Sequence, residues 1–343
     1  MRRSLAGWYQ KAKRDLPWRR TSDPYPIWIS EVMLQQTRVA AVLPYYRRFL
    51  ELFPTVESLA LAPEQKLFLA WSGLGYYSRA RNLQKAARQI VAAGGFPRTF
   101  DGLRELAGIG DYTASAIASI AFGLPHAVLD GNVMRVLTRL TADPGDIASP
   151  KTRARLAGVA SEFLNRRSPA EHNQAMMELG AMICLPREPR CLLCPLTARC
   201  QAHALGRTRE FPVKLRTQVK KQIELTLLVI QRKGSVLLWQ RTDREGRMAG
   251  FWELPSTEQL PQARLGRPVG SFRHTITHHL HLVQVCRGSV RKPPPQYEWK
   301  QQDELSILPL STIARKALNL VNSTSAPAAP KKCEFTLLAN FIE

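Results

Sequence analysis

The chain has 343 residues, and 49 Lys+Arg against 27 Asp+Glu leave a formal charge of +22. With 45% hydrophobic residues it can bury substantial cores, which excludes global disorder, and no apolar run approaches the about 20 residues that cross a bilayer. At roughly 150 residues per domain, two domains are expected. The positive excess points to a polyanion, because each neutralised phosphate releases counterions. A membrane surface would instead want a basic amphipathic helix, and none stands out. The N-terminal Met1-Arg2-Arg3-Ser4-Leu5 has charge but no apolar stretch behind it. A soluble, intracellular monomer of the cytoplasm or nucleoid, without a signal peptide, is expected.

Up to about residue 200 the apolar spacing is helical, as in Ile29-Val32-Met33-Gln36 with Val39-Ala40-Leu43 and in Leu83-Ala86-Ala87-Ile90-Val91. Breakers such as Asp23-Pro24, Gly94-Gly95 and Ser168-Pro169 divide this stretch into about ten short helices. Ser58, Asp101 and Ser149 stand where helix N-caps fit. Residues 1–203 therefore read as an all-helical domain, and the basic, aperiodic 204–222 as a linker. From 223 to 343 the texture changes to β-type runs: Ile223–Ile230, Val236–Trp239 and His279–Val285. Lys292–Pro295 is a loop, Ser311–Val321 a closing helix, and Ser323–Pro330 a Ser/Ala/Pro-rich stretch. The second half is a smaller α+β domain. The charge is skewed: residues 1–222 hold 33 Lys+Arg against 17 Asp+Glu (+16), the remainder 16 against 10 (+6).

Three features carry chemistry. Cys184, Cys191, Cys194 and Cys200 fall in the spacing C-x6-C-x2-C-x5-C. Thiols this dense in an intracellular chain suit a soft metal, so zinc and an iron–sulfur cluster are both candidates. Cys286 and Cys333 match no such spacing. Leu106–Ile117 sets a Gly-x-Gly turn, Gly108 and Gly110, before an Ala-rich helix. Such a turn brings backbone amides close to a phosphate, though a tight helix–helix turn also wants glycine. Finally, Glu31 lies in a strongly apolar stretch that would raise its pKa, and Asp130 begins another apolar helix. Glu31 could be only a capping-box or solvent-facing glutamate and Asp130 only an N-cap; together, one carboxyl could protonate a leaving group and the other stabilise developing positive charge.

These segments together resemble the helix–hairpin–helix DNA glycosylases, specifically the MutY-type adenine DNA glycosylases. The resemblance runs through Leu16–Arg19, Ser30–Thr37, Gly73–Asn82, Leu106–Ile117, Leu129–Arg135 and Gln174–Cys184, and it covers residues 5–203. It implies hydrolysis of the glycosidic bond of adenine mispaired with 8-oxoguanine or guanine in duplex DNA, after base flipping. In its terms Glu31 protonates adenine and helps activate water, and Asp130 stabilises the oxocarbenium-like sugar. Tyr112 and Asn132 support that site; Trp18, Arg19 and Glu178 belong to the adenine pocket. Gln36 and Tyr76 are wedges around the opposite base, and Gly108 and Gly110 present amides to a phosphate. The four cysteines match a [4Fe–4S] loop.

Tyr112 stands where the related endonuclease III-like enzymes carry a Schiff-base lysine, so the monofunctional branch is implied. The alternatives are a bifunctional glycosylase/lyase and a damage-binding protein that has lost catalysis. Gly250–Pro255 and Phe272–His278 fit the family's Nudix-like recognition domain, without the carboxylate run of a working Nudix hydrolase. There Thr277 and His278 would meet the damaged base, with Ile276 where the family commonly has an aromatic residue. Asp111, in the hairpin, would suit the helix dipole but oppose a phosphate.

Overall fold

The computed structural model describes residues 1–215, 221–242, 248–276 and 278–323. They form two compact units. One comprises Met1–Ala62 and Arg79–Thr217; the other joins Pro63–Ser78 to the described residues beyond Gln218. The first unit is therefore discontinuous in sequence.

Its helices are α1 (Arg2–Ala12), α2 (Pro24–Leu34), α3 (Val39–Leu52) and α4 (Val56–Ala60). After α5 (Glu64–Trp71), which belongs to the second unit, come α6 (Ser78–Ala92), α7 (Phe100–Arg104) and α8 (Asp111–Ile120). Then follow α9 (Gly131–Leu140), α10 (Pro150–Phe163), α11 (Pro169–Met182) and α12 (Gln201–Ala204). The helix start at Asp23-Pro24 has a plain cause: the Asp23 carboxylate accepts from the Tyr25 amide at 2.9 Å, and Pro24 fits the first turn. Eight of the eleven residues of α2 are buried, so it has no polar face and Glu31 is carried into the core with it.

Two local readings change. Ser149 takes the N-cap position of α10, without a side-chain bond to the open amides, but Thr55 caps α4, with Ser58 as the third residue of its capping box. Thr99 caps α7, leaving Asp101 in the first turn, where its charge suits the dipole. In both cases a hydroxyl just upstream reaches the open amides first. The apolar spacing that runs from Ile29 to Leu43 is also not one helix. It breaks between Leu34 and Val39, where Gln36 adopts φ +57°.

The second unit is built on β1 (Lys221–Arg232), β2 (Ser235–Gln240), β3 (Trp252–Glu253), β4 (Arg264–Ile276), β5 (His279–Ser289) and β6 (Tyr297–Gln301), closed by α13 (Thr312–Ser323). The sheet order is β3-β2-β1-β5-β4, with β6 also on β2. β1 and β5 pair in parallel, Lys221 with His279 through Ile230 with Gly288, while the other pairs are antiparallel. Leu227 and Val229 face a core shared with Ala314, Ala317 and Val321 of α13. Leu228 and Ile230 point the other way, towards Trp239, Leu260 and Tyr297. A strand buried on both faces reads as an unbroken apolar run, which is how β1 looks in the sequence. Among the described residues no helix is long and apolar enough to cross a membrane.

Candidate active site

A cavity of about 930 Å³ in the first unit is lined by Trp18, Arg19, Glu31, Gln36, Tyr112, Asp130, Asn132 and Glu178, among others. Residues far apart in sequence are thus brought to one space by α2, α8, α9, α11 and the turn Pro17–Arg19. Trp18 is 6% exposed and packs edge-on against Tyr46, with ring centroids 5.1 Å apart.

Glu31 is 5% exposed. Burial raises its pKa to about 7; the Tyr112 hydrogen bond opposes the rise and the Asp130 charge adds to it. The Tyr112 hydroxyl donates to Glu31 Oε2 at 2.5 Å, and burial and both carboxylates keep that phenol from ionising. Asp130 is the N-cap of α9, its Oδ1 accepting from the Val133 amide at 2.7 Å. Its Oδ2 accepts from Asn132 Nδ2 at 2.8 Å, so Asn132 fixes the second oxygen. Burial pushes Asp130 upward too, against these hydrogen bonds. The cap reading and the site reading of Asp130 are compatible, since one carboxylate oxygen serves each.

Asn132 is held in turn. Arg135 Nη2 donates to Asn132 Oδ1 at 3.0 Å and to the Gly180 carbonyl at 2.7 Å, and Arg135 Nε to the Cys184 carbonyl at 2.8 Å. Gly180 is required here, because a Cβ would sit 2.6 Å from that of Asn132. A continuous hydrogen-bonded path therefore leads from Asp130 to the backbone at Cys184.

Glu178 is fully buried. Its oxygens accept from the Arg14 amide (2.9 Å), Arg14 Nε and Nη2 (2.8 and 2.6 Å), and Arg19 Nη1 and Nη2 (3.1 and 2.8 Å). Burial alone would raise its pKa, but these bonds outweigh burial and hold the carboxyl at about 2. A carboxylate offers about four lone-pair sites, so Glu178 reaches a ligand only by giving up a bond from Arg14 or Arg19. Sequence reading passed over Arg14, Gln174 and Arg135. Arg14 sits in the run Lys11-Ala-Lys13-Arg14, which reads as a solvated charged face. Gln174 lines the cavity and accepts from the Tyr9 hydroxyl at 2.7 Å.

Gln36 stands at the edge of the cavity, and the other predicted residues lie outside it. Gln36 and Tyr76 are exposed, and both are non-glycine residues in the left-handed region, at φ +57° and +49°. Gly108 has φ +75°, and a Cβ there would stand 2.6 Å from that of Asn82, so glycine is needed twice over. Gly110 is the N-cap of α8 with open space beside it. Asp111 does not present a bare charge: Arg104 Nε meets its Oδ1 at 2.6 Å. His278 is exposed in the turn between β4 and β5, and Thr277 lies outside the described residues.

Cys184 follows α11, Cys191 opens a 3-10 turn, and Cys200 is the N-cap of α12. Cys184, Cys194 and Cys200 pack half-buried on the helical core. Burial, and after it the neighbouring thiols, push Cys191, Cys194 and Cys200 above the usual range. Arg139 is 1% exposed and donates to Cys184 Sγ at 3.2 Å and to the Leu185 and Pro186 carbonyls. Among the described residues no three His, Cys, Asp or Glu side chains converge tightly enough to hold one metal ion.

Residues 29–161 match the HhH-GPD superfamily base excision DNA repair proteins. Among solved structures, a thermostable thymine-DNA glycosylase is similar at 27% identity and TM-score 0.55, covering 60% of this chain and 95% of that one. An endonuclease III in a non-covalent DNA complex is similar at 25% and 0.51, covering 61% and 96%. The adenine DNA glycosylase of Homo sapiens is 33% identical over 93% of this chain and 73% of its own length. That of Mus musculus is 34% identical over 93% and 77%. Identity at that level, sustained through both the helical and the sheet-bearing half, shows that the chain belongs to the adenine DNA glycosylase family.

Proposed function

We propose that this protein hydrolyses the glycosidic bond of adenine paired with 8-oxoguanine or guanine in duplex DNA, without cutting the strand. The observation that carries this is the pairing of Glu31 and Asp130 in one cavity, with Tyr112 on the first and Asn132 on the second. Glu31, with a pKa of about 7, holds a proton near neutral pH and gives it to the departing adenine. Loss of the base leaves positive charge on the sugar, and the fixed Asp130 carboxylate faces that charge. Glu31, now ionised, takes a proton from the attacking water.

The cavity is large enough for a flipped base, with Trp18 as an apolar wall and Arg19, held by Glu178, as a donor to ring nitrogen acceptors. Tyr112 supports the monofunctional reading, because a phenol cannot form the Schiff base that opens a lyase route. Gly108 and Gly110, at the start of α8, suit close approach of a phosphate, and Arg104 cancels the Asp111 charge that would oppose it. Left-handed, exposed Gln36 and Tyr76 suit side chains that fill the stack around the opposite base. The second unit reads as a Nudix-like recognition domain, with Thr277 and His278 as contacts to the damaged base.

The four cysteines fit a [4Fe–4S] cluster. They are soft donors from one loop, close enough to perturb one another, with an arginine N–H already on one sulfur. Four thiols from one short loop would supply the all-thiolate ligand set that such a cluster needs. When bound, the cluster would tie Cys184, at the end of the Asp130–Asn132–Arg135 path, to the rest of the loop.

A single-turnover assay on a duplex containing adenine opposite 8-oxoguanine tests the reading. The expected product is an abasic site in an intact strand, and Glu31→Gln nearly abolishes it. Direct β-elimination products would show a lyase, and tight binding with no base release would show a damage-binding protein.

A further inference from the structure

The loop that carries Tyr76 belongs to the sheet-bearing unit, within Pro63–Ser78. It is sharply bent: Gly73, Gly75 and Tyr76 have φ of +108°, +69° and +49°, three left-handed residues in four. For the tyrosine that conformation persists only where the surroundings impose it. What imposes it begins at the next residue. Tyr77 is 5% exposed, and its ring lies 4.1 Å from that of fully buried Phe251, tilted by 51°. Phe251 also meets Phe68 of α5 at 4.9 Å, and Phe68 meets Tyr77 edge-on at 6.2 Å. One ring thus grips the loop at both ends. Trp71 Nε1 donates to the Gly75 carbonyl at 3.1 Å, and Arg315 Nη2 to Ser72 Oγ at 2.8 Å.

Phe251 is itself fastened to the sheet. Its carbonyl accepts from the Arg241 amide at 2.8 Å and its amide donates to Met248 at 3.1 Å, while neighbouring Trp252 pairs with Gln240.

We propose that Phe251 is the positioning residue for Tyr76: through Tyr77 and Phe68 it mounts the tyrosine wedge on the sheet that also presents His278. The inference rests on reading Tyr76 as a wedge in the DNA stack. Its consequence is that lesion recognition and stack opening share one mechanical support. A defect at Phe251 therefore reaches the DNA without touching it.

The experiment uses the full chain and a duplex with 2-aminopurine beside 8-oxoguanine, whose fluorescence rises when its stack opens. Tyr76→Ala should lose most of that rise and slow single-turnover excision. Phe251→Met, which fills the space without a ring, should lose the rise likewise, with unchanged circular dichroism. The double variant should then be no slower than Tyr76→Ala within about twofold, the usual scatter of such cycles. If the two rate losses multiply, or Phe251→Met keeps the full rise while Tyr76→Ala loses it, the positioning role is overturned. If Tyr76→Ala itself keeps the wild-type rise and rate, the wedge reading fails first and the inference with it. Should Phe251→Met not fold, Tyr77→Leu, which removes the other ring of the same contact, replaces it under the same criteria.

Discussion

Glu31→Gln should make the protein more stable at alkaline pH while destroying its activity. Burial raises the Glu31 pKa from 4.5 to about 7, so the folded state prefers the protonated carboxyl. Its favourable contribution is complete below pH 4.5 and is lost as pH rises through 7, because the unfolded chain ionises first. The gap between the two values corresponds to about 3 kcal/mol at pH 8 and less than about 1 kcal/mol at pH 5. Glutamine is nearly isosteric, never ionises, and still offers an oxygen to the Tyr112 hydroxyl. The variant therefore escapes the cost of a buried charge without opening a cavity. For a unit of some 200 residues each kcal/mol moves the melting temperature by about 2–4 °C, so a rise of several degrees is expected at pH 8 and little change at pH 5. Thermal melts of both proteins from pH 5 to 8.5 measure it. A melting difference that does not grow with pH, or a variant less stable than wild type at pH 8, would refute the reasoning.

The same carboxyl sets the pH dependence of chemistry: single-turnover excision should fall as pH rises through about 7, and a profile flat from pH 6 to 9 would contradict a proton held on Glu31. Arg19→Ala leaves Glu178 paired with Arg14, but removing both arginines strands a buried carboxylate, with an expected loss of about 3–5 kcal/mol in urea unfolding. A combined loss below about 1 kcal/mol would show that Glu178 relaxes into solvent. Cys191→Ala should lose iron and the visible thiolate-to-iron absorbance and weaken DNA binding before it slows chemistry. A colourless wild-type protein with stoichiometric zinc would sink the cluster assignment. Raising ionic strength should weaken binding to all duplexes far more than it changes preference for the damaged one, because charge supplies affinity while few residues discriminate.

The helices were legible because amphipathic spacing and Pro or Gly breakers are local signals, and α2 and α9 begin at Asp23 and Asp130, as the sequence suggests. β4 was not legible. It is an edge strand with two glycines, Pro268 and two register shifts, none of which reads as a strand. A carboxylate in an apolar stretch makes Glu31 conspicuous, but only the family resemblance separates Glu31 and Asp130 from ordinary capping residues, and the structure brings both to one cavity. Arg14 was hidden by the opposite rule, since a cation among cations looks solvated, and the buried carboxylate it pairs with, Glu178, is 164 residues away. The attachment of Pro63–Ser78 to the sheet could not be read locally either, because its partner Phe251 lies far along the chain.

That attachment has a consequence for synthesis of the protein. Tyr77 leaves the ribosome 174 residues ahead of Phe251, which at about 5–20 residues per second is roughly 10–35 s. Throughout that interval Phe68 and Tyr77 lack Phe251, the ring that joins both of them to the sheet. A nascent chain in this state presents an aromatic segment open to chaperones or to other chains. A stop codon anywhere before residue 251 would make the exposure permanent.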